Sequence, residues 1–246
     1  MSFLQSPQPS NPWTRQPVFR IPGVVAGLIL LLVAAHIARA MVPDALSYRI
    51  ITRFAFIPAR YSHAFLAAHK YIDPGNLFDR AVPFVSYMAL HNDYTHLAIN
   101  SLWLLAFGPI VARRFGGILF LVFFLICGIA AALAHLAFNW GSLTPVIGAS
   151  GAISGLMGAG MRLLPTQAPW ATPGEEELAP IFSRQILIFT AIWMVLNLAA
   201  GLTGFGVGPG ELGLIAWQAH VGGYLTGLLL AGPFDLLRPR AARLTP

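Results

Sequence analysis

An all-α membrane protein with a six-transmembrane-helix bundle is the fold class that this sequence predicts, and three observations predict it. Apolar residues make up 57% of the 246 and charged residues only 10%, a composition far from that of a soluble domain. Six apolar runs are each long enough to cross a bilayer. Arginines collect at the ends of certain runs and are missing from others, which is a topology signal.

Residues 1–20 are polar and proline-rich and end in Arg15 and Arg20, which reads as a short disordered cytoplasmic tail. The core is expected over 21–235. Its first run, Ile21 to Ala38, closes with Ala38-Arg39-Ala40, a faint signal-peptidase pattern. The run exceeds a usual signal core, so a retained anchor is expected. Residues 41–90 hold five basic residues, three acids and four prolines, with apolar patches (AFLAA, FVSYMAL) too short to span. A structured outer loop with interfacial or re-entrant pieces fits that pattern.

Five further spans are expected from Tyr94 to Val111, Ile118 to Phe138, Val146 to Leu164, Gln185 to Leu202 and Leu214 to Phe234. Arg113 and Arg114 follow the second span, and Arg162 and Arg184 flank the loop after the fourth. Arg238, Arg240 and Arg243 form a basic tail over 236–246, whereas 139–145 and 203–213 contain no lysine or arginine. The positive-inside rule then places both termini in the cytoplasm.

The formal charge of +6 comes from 14 arginines and one lysine against nine acids. No basic run interleaves with stacking aromatics, so nucleic acid is not an expected partner. The single cysteine, Cys127, lies in an apolar run and reads as a buried structural thiol. Ligands for a structural metal are not in evidence.

Polar groups inside spans are costly and face the protein interior. The stretch 144–164 (TPVIGASGAISGLMGAGMRLL) sets one hydroxyl, Ser150, between Gly148 and Gly151. His96 and Asn100 stand in the first turns of the second span. His220 lies six residues after Leu214 in the sixth, roughly 9 Å down at the helical rise. The second, fourth and sixth spans all enter from the outer face, so these four side chains share a depth. A serine hydroxyl becomes a good nucleophile when an imidazole takes its proton, and His220 is the candidate base. The Ser150 N–H at a helix start, with His96 and Asn100 one turn apart on one face, can supply oxyanion donors. No acid lies inside a span at this depth, which favours a dyad, although Glu211 in the outer loop stays open as a third member. His36, His63, His69 and His135 lack such a partner set and read as structural. Asn197 in the fifth span reads as an interhelical hydrogen bond.

Those residues make the chain resemble the rhomboid family of intramembrane serine proteases. His91-Asn-Asp-Tyr-Thr-His96-Leu-Ala-Ile-Asn100 is similar to the family's H-x4-H-x3-N. Gly148-Ala149-Ser150-Gly151 matches G-x-S-G, and Ala219-His220-Val-Gly-Gly223-Tyr-Leu-Thr-Gly227 matches A-H-x3-G-x3-G. The resemblance implies Ser150 as nucleophile, His220 as base, and an oxyanion hole of His96, Asn100 and the Ser150 N–H. It also implies a structural His91 tying the first loop to the helix, and support from Gly148, Gly151, Gly223 and Gly227. Transmembrane protein substrates would be hydrolysed in or near their membrane segments, with no metal or cofactor. Multi-pass residence in membrane lipid is implied, and with no long presequence a bacterial inner membrane is expected.

Two features depart from the family pattern. Four residues after the nucleophile, where an aromatic often supports the histidine ring, this chain has Ser154, leaving Trp217 or Tyr224 as candidate supports. The Trp-Arg pair common in the first loop is absent. The loop 201–213 has six glycines in 13 residues, which suits a movable cap, with the fifth helix as a lateral gate. Two other classes compete with this reading: a non-catalytic rhomboid-like binder of transmembrane clients, and a histidine-based transporter. The first would be marked by loss of the serine or histidine, and both are present. The second would be marked by internal repeats, of which none is found.

Overall fold

A computed structural model of the chain describes residues 21–68, 75–164, 177–203 and 216–238. The expected N-terminal tail, most of the C-terminal tail, His69, and the 204–213 part of the expected cap with Glu211 lie outside the described residues. Regular structure among the described residues is helical, with one isolated antiparallel bridge between Phe56 and Val146. The helices are α1 (Gly23–Ala40), α2 (Asp44–Phe54), α3 (His63–Ala68), α4 (Leu77–Ala81), α5 (Pro83–Ser86), α6 (Tyr94–Phe115), α7 (Gly117–Phe138), α8 (Ser150–Leu163), α9 (Arg184–Thr203) and α10 (Trp217–Leu237).

Four of these, α1, α6, α7 and α9, are long and apolar enough to cross a membrane. The other two expected spans differ for physical reasons. Helix α8 has 14 residues and starts at Ser150, not near Val146. Gly148 ahead of it has φ +113°, which a right-handed helix cannot include. Val146 is drawn into the bridge, with Phe56 N–H donating to its carbonyl at 3.0 Å and its own N–H returning to Phe56 O at 2.8 Å. Helix α10 is diluted by glycines and polar side chains. Its first residue is Trp217, so His220 sits in the first turn, nearer the helix end than the expected depth.

Helix α8 is the centre of the fold. Eleven consecutive residues, Gly151 to Met161, are buried on all sides, and α6, α7 and α10 pack around them. Glycine makes this possible. A Cβ on Gly223 would overlap the carbonyl oxygen of Gly151, and one on Gly227 would overlap that of Gly155. From the other side a Cβ on Gly158 would overlap Tyr224 O. The α8 and α10 backbones therefore touch, as small residues allow in membrane helix pairs. On the α7 side a Cβ on Gly151 would fall 2.6 Å from that of Ala131. Gly155 faces Cys127, which is buried and free; a small side chain is what fits there.

At the opposite end of the bundle, Arg114 of α6 holds Asp235 of α10 with two bonds, Nε to Oδ1 at 2.6 Å and a terminal nitrogen to Oδ2 at 3.1 Å. Phe115, Phe123 and Phe234 form an aromatic cluster beside it, with ring centroids 4.9 Å apart for Phe123–Phe234. Helices α1 and α9 are peripheral. Helix α9 buries only Ile186, Asn197 and Gly201, while Val195, Leu196 and Leu202 lie more than 60% exposed. A flank this apolar belongs against lipid.

The first loop, α2 to α5 with two short 3-10 turns, braces the approach to α8. Ala59 N–H donates to Ser142 O at 2.9 Å, and Gly148 N–H donates to Tyr87 O at 2.9 Å. Phe56, Tyr61 and Phe84 stack into one aromatic patch beneath these bonds. Arg39, at the end of α1, donates to His91 O at 2.6 Å and to Asn92 O at 3.1 Å. Within the loop, Arg60 donates to the carbonyls of Arg53 and Ala55 at 3.2 and 3.4 Å. Tyr61 of this patch has its hydroxyl pKa raised to about 12, chiefly by burial.

The α8–α10 seam makes a stability prediction. Gly227→Val should destabilise the protein by about 1–3 kcal/mol through overpacking. Gly27→Ala in α1, where an added Cβ meets nothing within 4 Å, should be neutral or stabilising by about 0.5–1 kcal/mol. Thermal unfolding midpoints in detergent micelles compare the two.

Candidate active site

The starts of α6, α8 and α10 meet at one end of the bundle, and each contributes polar side chains there. Ser150 is the first residue of α8, so its backbone N–H has no acceptor within the helix. Its Oγ lies 2.8 Å from Nε2 of His220, a hydrogen bond across a sequence separation of 70 residues. The glycine seam next to both residues, with Gly223 one turn below His220, brings the two helices close enough for so short a contact.

The turn that presents Ser150 depends on Gly148. Its φ of +113° lies where side chains are rarely tolerated. Space forbids one as well: a Cβ there would stand 2.8 Å from the His96 ring atoms Cε1 and Nε2 and 3.5 Å from Asn100 Nδ2. The His96 and Asn100 side chains from α6 therefore reach the turn that carries Ser150. Asn100 Nδ2 is buried without a hydrogen-bond partner among the described residues. A buried amide left unpaired costs about 1–3 kcal/mol, so it is a donor waiting for an acceptor. His96 accepts at Nδ1 from Asn92 N–H at 3.4 Å. When the ring is neutral that leaves its proton on Nε2, facing the Gly148 turn. The α6 start itself is set by Asp93, whose Oδ1 caps His96 N–H at 2.9 Å.

His91 is fully buried. It packs edge-on against His96, with centroids 5.2 Å apart and planes at 70°, so it touches the site by ring packing while its backbone carbonyl takes Arg39. Gly151 lies against α7, and a Cβ there would also come 3.3 Å from the Tyr87 hydroxyl, which donates to Gly128 O at 2.8 Å.

The support of His220 differs from the sequence expectation. Ser154 turns back and donates to Ser150 O at 2.8 Å. Tyr224 pairs its hydroxyl with Thr190 at 2.7 Å and stacks on Trp193, centroids 4.5 Å apart. Trp217 takes part through its carbonyl, while its side chain lies against Gly201 of α9. The second nitrogen of His220, Nδ1, lies 2.8 Å from Oδ1 of Asn197 on α9. The Asn197 amide nitrogen donates to Trp217 O at 3.1 Å. Asn197 does bond across helices, as read from the sequence, but what it holds is the histidine beside Ser150. The available signal was a lone asparagine in an apolar span, and nothing in the sequence told which way it faced.

Elsewhere, His36 is buried against Tyr94 with centroids at 4.7 Å, and His135 contacts Asn139 at 3.3 Å. Among the described residues no group of three or more histidine, cysteine or carboxylate side chains converges as a metal site would.

Comparison with known proteins assigns this helical bundle to a family. The family model for the Rhomboid domain matches residues 79–234. The chain belongs to the rhomboid family. It is 35% identical over 150 residues to RHOMBOID-like protein 4 of Arabidopsis thaliana, covering 61% of this chain and 33% of that protein. It is 31% identical over 160 residues to the mitochondrial RHOMBOID-like protein 6 of the same plant, covering 64% and 44%. Rhomboid protease GluP of Bacillus subtilis (strain 168) is 30% identical over 149 residues, covering 61% and 25%. The chain thus matches less than half the length of each of these relatives.

Burial, with the neighbouring His96 and His36 acting the same way, lowers the His91 pKa from 6.5 to about 4. The unfolded chain takes up a proton at this histidine near pH 6.5, and the folded chain does so only near 4. Stability is therefore lost as pH falls from about 6.5 towards 4. His91→Phe should show a shallower drop in unfolding midpoint over that range than the wild type; equal slopes would mean His91 is not held neutral.

Proposed function

We propose that this protein is an intramembrane serine endopeptidase that cleaves peptide bonds in or near transmembrane segments of other membrane proteins. The single observation that carries this reading is the 2.8 Å contact between Ser150 Oγ and His220 Nε2. In the proposed mechanism Nε2 takes the hydroxyl proton as Oγ attacks the scissile carbonyl carbon. The carbonyl oxygen becomes an oxyanion and accepts from Ser150 N–H, His96 Nε2–H and Asn100 Nδ2. Collapse expels the amine, which takes the proton from His220, and leaves an acyl-enzyme. His220 then deprotonates a water that attacks the ester and restores the serine.

In this reading α1, α6, α7, α8, α9 and α10 are the six membrane helices, with α8 and α10 shielded from lipid by the others and both termini in the cytoplasm. The site then lies in the outer half of the bilayer, reached by water from the outer face. Transmembrane substrates and the surrounding lipid are the proposed partners, and a bacterial inner membrane is the proposed location. The cap at 201–213 and the gate at α9 are proposed routes of access. The competing reading is a rhomboid-like binder that holds transmembrane clients without cutting them. The Ser150–His220 hydrogen bond weighs against it, since a binder has no use for a serine hydroxyl paired with an imidazole base.

A fluorophosphonate probe should label wild-type protein at Ser150, while a binder would stay unlabelled. Ser150→Ala and His220→Ala should each abolish cleavage of a single-pass substrate with folding intact; undiminished cleavage by Ser150→Ala would sink the nucleophile assignment. Asn100→Ala should lower turnover by up to about 10²–10³-fold, less if His96 carries the oxyanion alone.

A further inference from the structure

We propose that Asn197 is a positioning residue for His220, fixing which ring nitrogen carries the proton and aiming the other at Ser150. The inference rests on the Ser150–His220 reading above. Asn197 is only 7% exposed, although it sits on a helix whose surroundings are mostly lipid-facing. Its two amide atoms have different jobs, and their assignment is forced. The Trp217 carbonyl, 3.1 Å away, can only accept, so it must face the amide nitrogen. Oδ1 is then the atom 2.8 Å from His220 Nδ1. An amide oxygen can only accept, so Nδ1 must carry the proton. In the neutral ring Nε2 is left bare, and Nε2 is the atom facing Ser150 Oγ. One buried amide thus selects the tautomer that can act as a base.

The same bond gains strength when it is needed. As His220 takes the serine proton it becomes a cation, and the Nδ1–H donation to Asn197 becomes charge-assisted. The contribution is larger in the transition state than in the resting protein, so its loss should fall on kcat and not on KM. The docking around Asn197 is close. One turn further along α9, an added Cβ on Gly201 would stand 2.8 Å from Trp217 Cβ and Cγ, so α9 is seated against the first turn of α10. Ser154, placed where a ring is expected, leaves that side of His220 without aromatic support, and Asn197 holds the ring from the α9 side instead.

Asn197→Leu, which keeps the volume and removes both polar atoms, should lower kcat for a single-pass substrate by about 10–100-fold with KM unchanged. Asn197→Asp cannot donate to Trp217 but still accepts from Nδ1–H, and should recover most of the lost kcat. A Leu variant with wild-type kcat, or Leu and Asp variants equally impaired, would overturn the inference. Ring nitrogen-15 spectra give a readout independent of catalysis. Wild-type His220, assigned by difference from His220→Ala, should show a protonated Nδ1 and a bare Nε2. The opposite tautomer would overturn the proposal. Should the wild type neither cleave nor label at Ser150 yet show that tautomer, the protease reading fails and the positioning role stands.

Discussion

Backbone contact between α8 and α10 is the constraint on which the rest depends. Packed helices usually keep their axes about 8–10 Å apart, and side chains fill the gap. Here the carbonyls of Gly151 and Gly155 occupy the places where side chains of residues 223 and 227 would be. Without that approach a short side chain such as serine could not meet a histidine on the neighbouring helix at hydrogen-bond distance. The same contact explains why α8 is buried on every side and can be short. Arg114 and Asp235 brace the far end of the bundle, so the chemistry and its anchoring are divided between the two ends.

Two histidines in one small region carry their protons on opposite nitrogens, and in each case a neighbour decides. Asn92 N–H occupies Nδ1 of His96, which leaves that ring a donor at Nε2. Asn197 Oδ1 occupies Nδ1 of His220 from the other direction, which leaves that ring an acceptor at Nε2. Identical side chains thereby face the Ser150 turn with opposite hydrogen-bonding character. Among the described residues neither arrangement uses a carboxylate.

Much of this was legible in the sequence, because it is written in local spacing. His96 and Asn100 at i and i+4 share a helix face, and the glycines around Ser150 and after His220 mark a close seam. What was not legible depends on rotation and on distant pairing. Helix α9 is apolar almost all round, so nothing in its pattern tells that Asn197 faces inward. The start of α8 is hidden because the apolar run begins at Val146, whose backbone pairs with Phe56, a residue ninety positions earlier. Such long-range backbone pairing leaves no periodic trace in an apolar segment.

The sequence separation across the Ser150–His220 contact also bears on how the molecule comes into being. Ser150 is translated long before His220, and α8, rich in glycine, has its tightest partner in the last helix. During synthesis the growing chain therefore carries Ser150, His96, Asn100 and the first loop while the His220 imidazole is still to come. The Ser150–His220 contact forms only when α10 packs against α8. Until α10 is made and seated, Ser150 has no imidazole beside it.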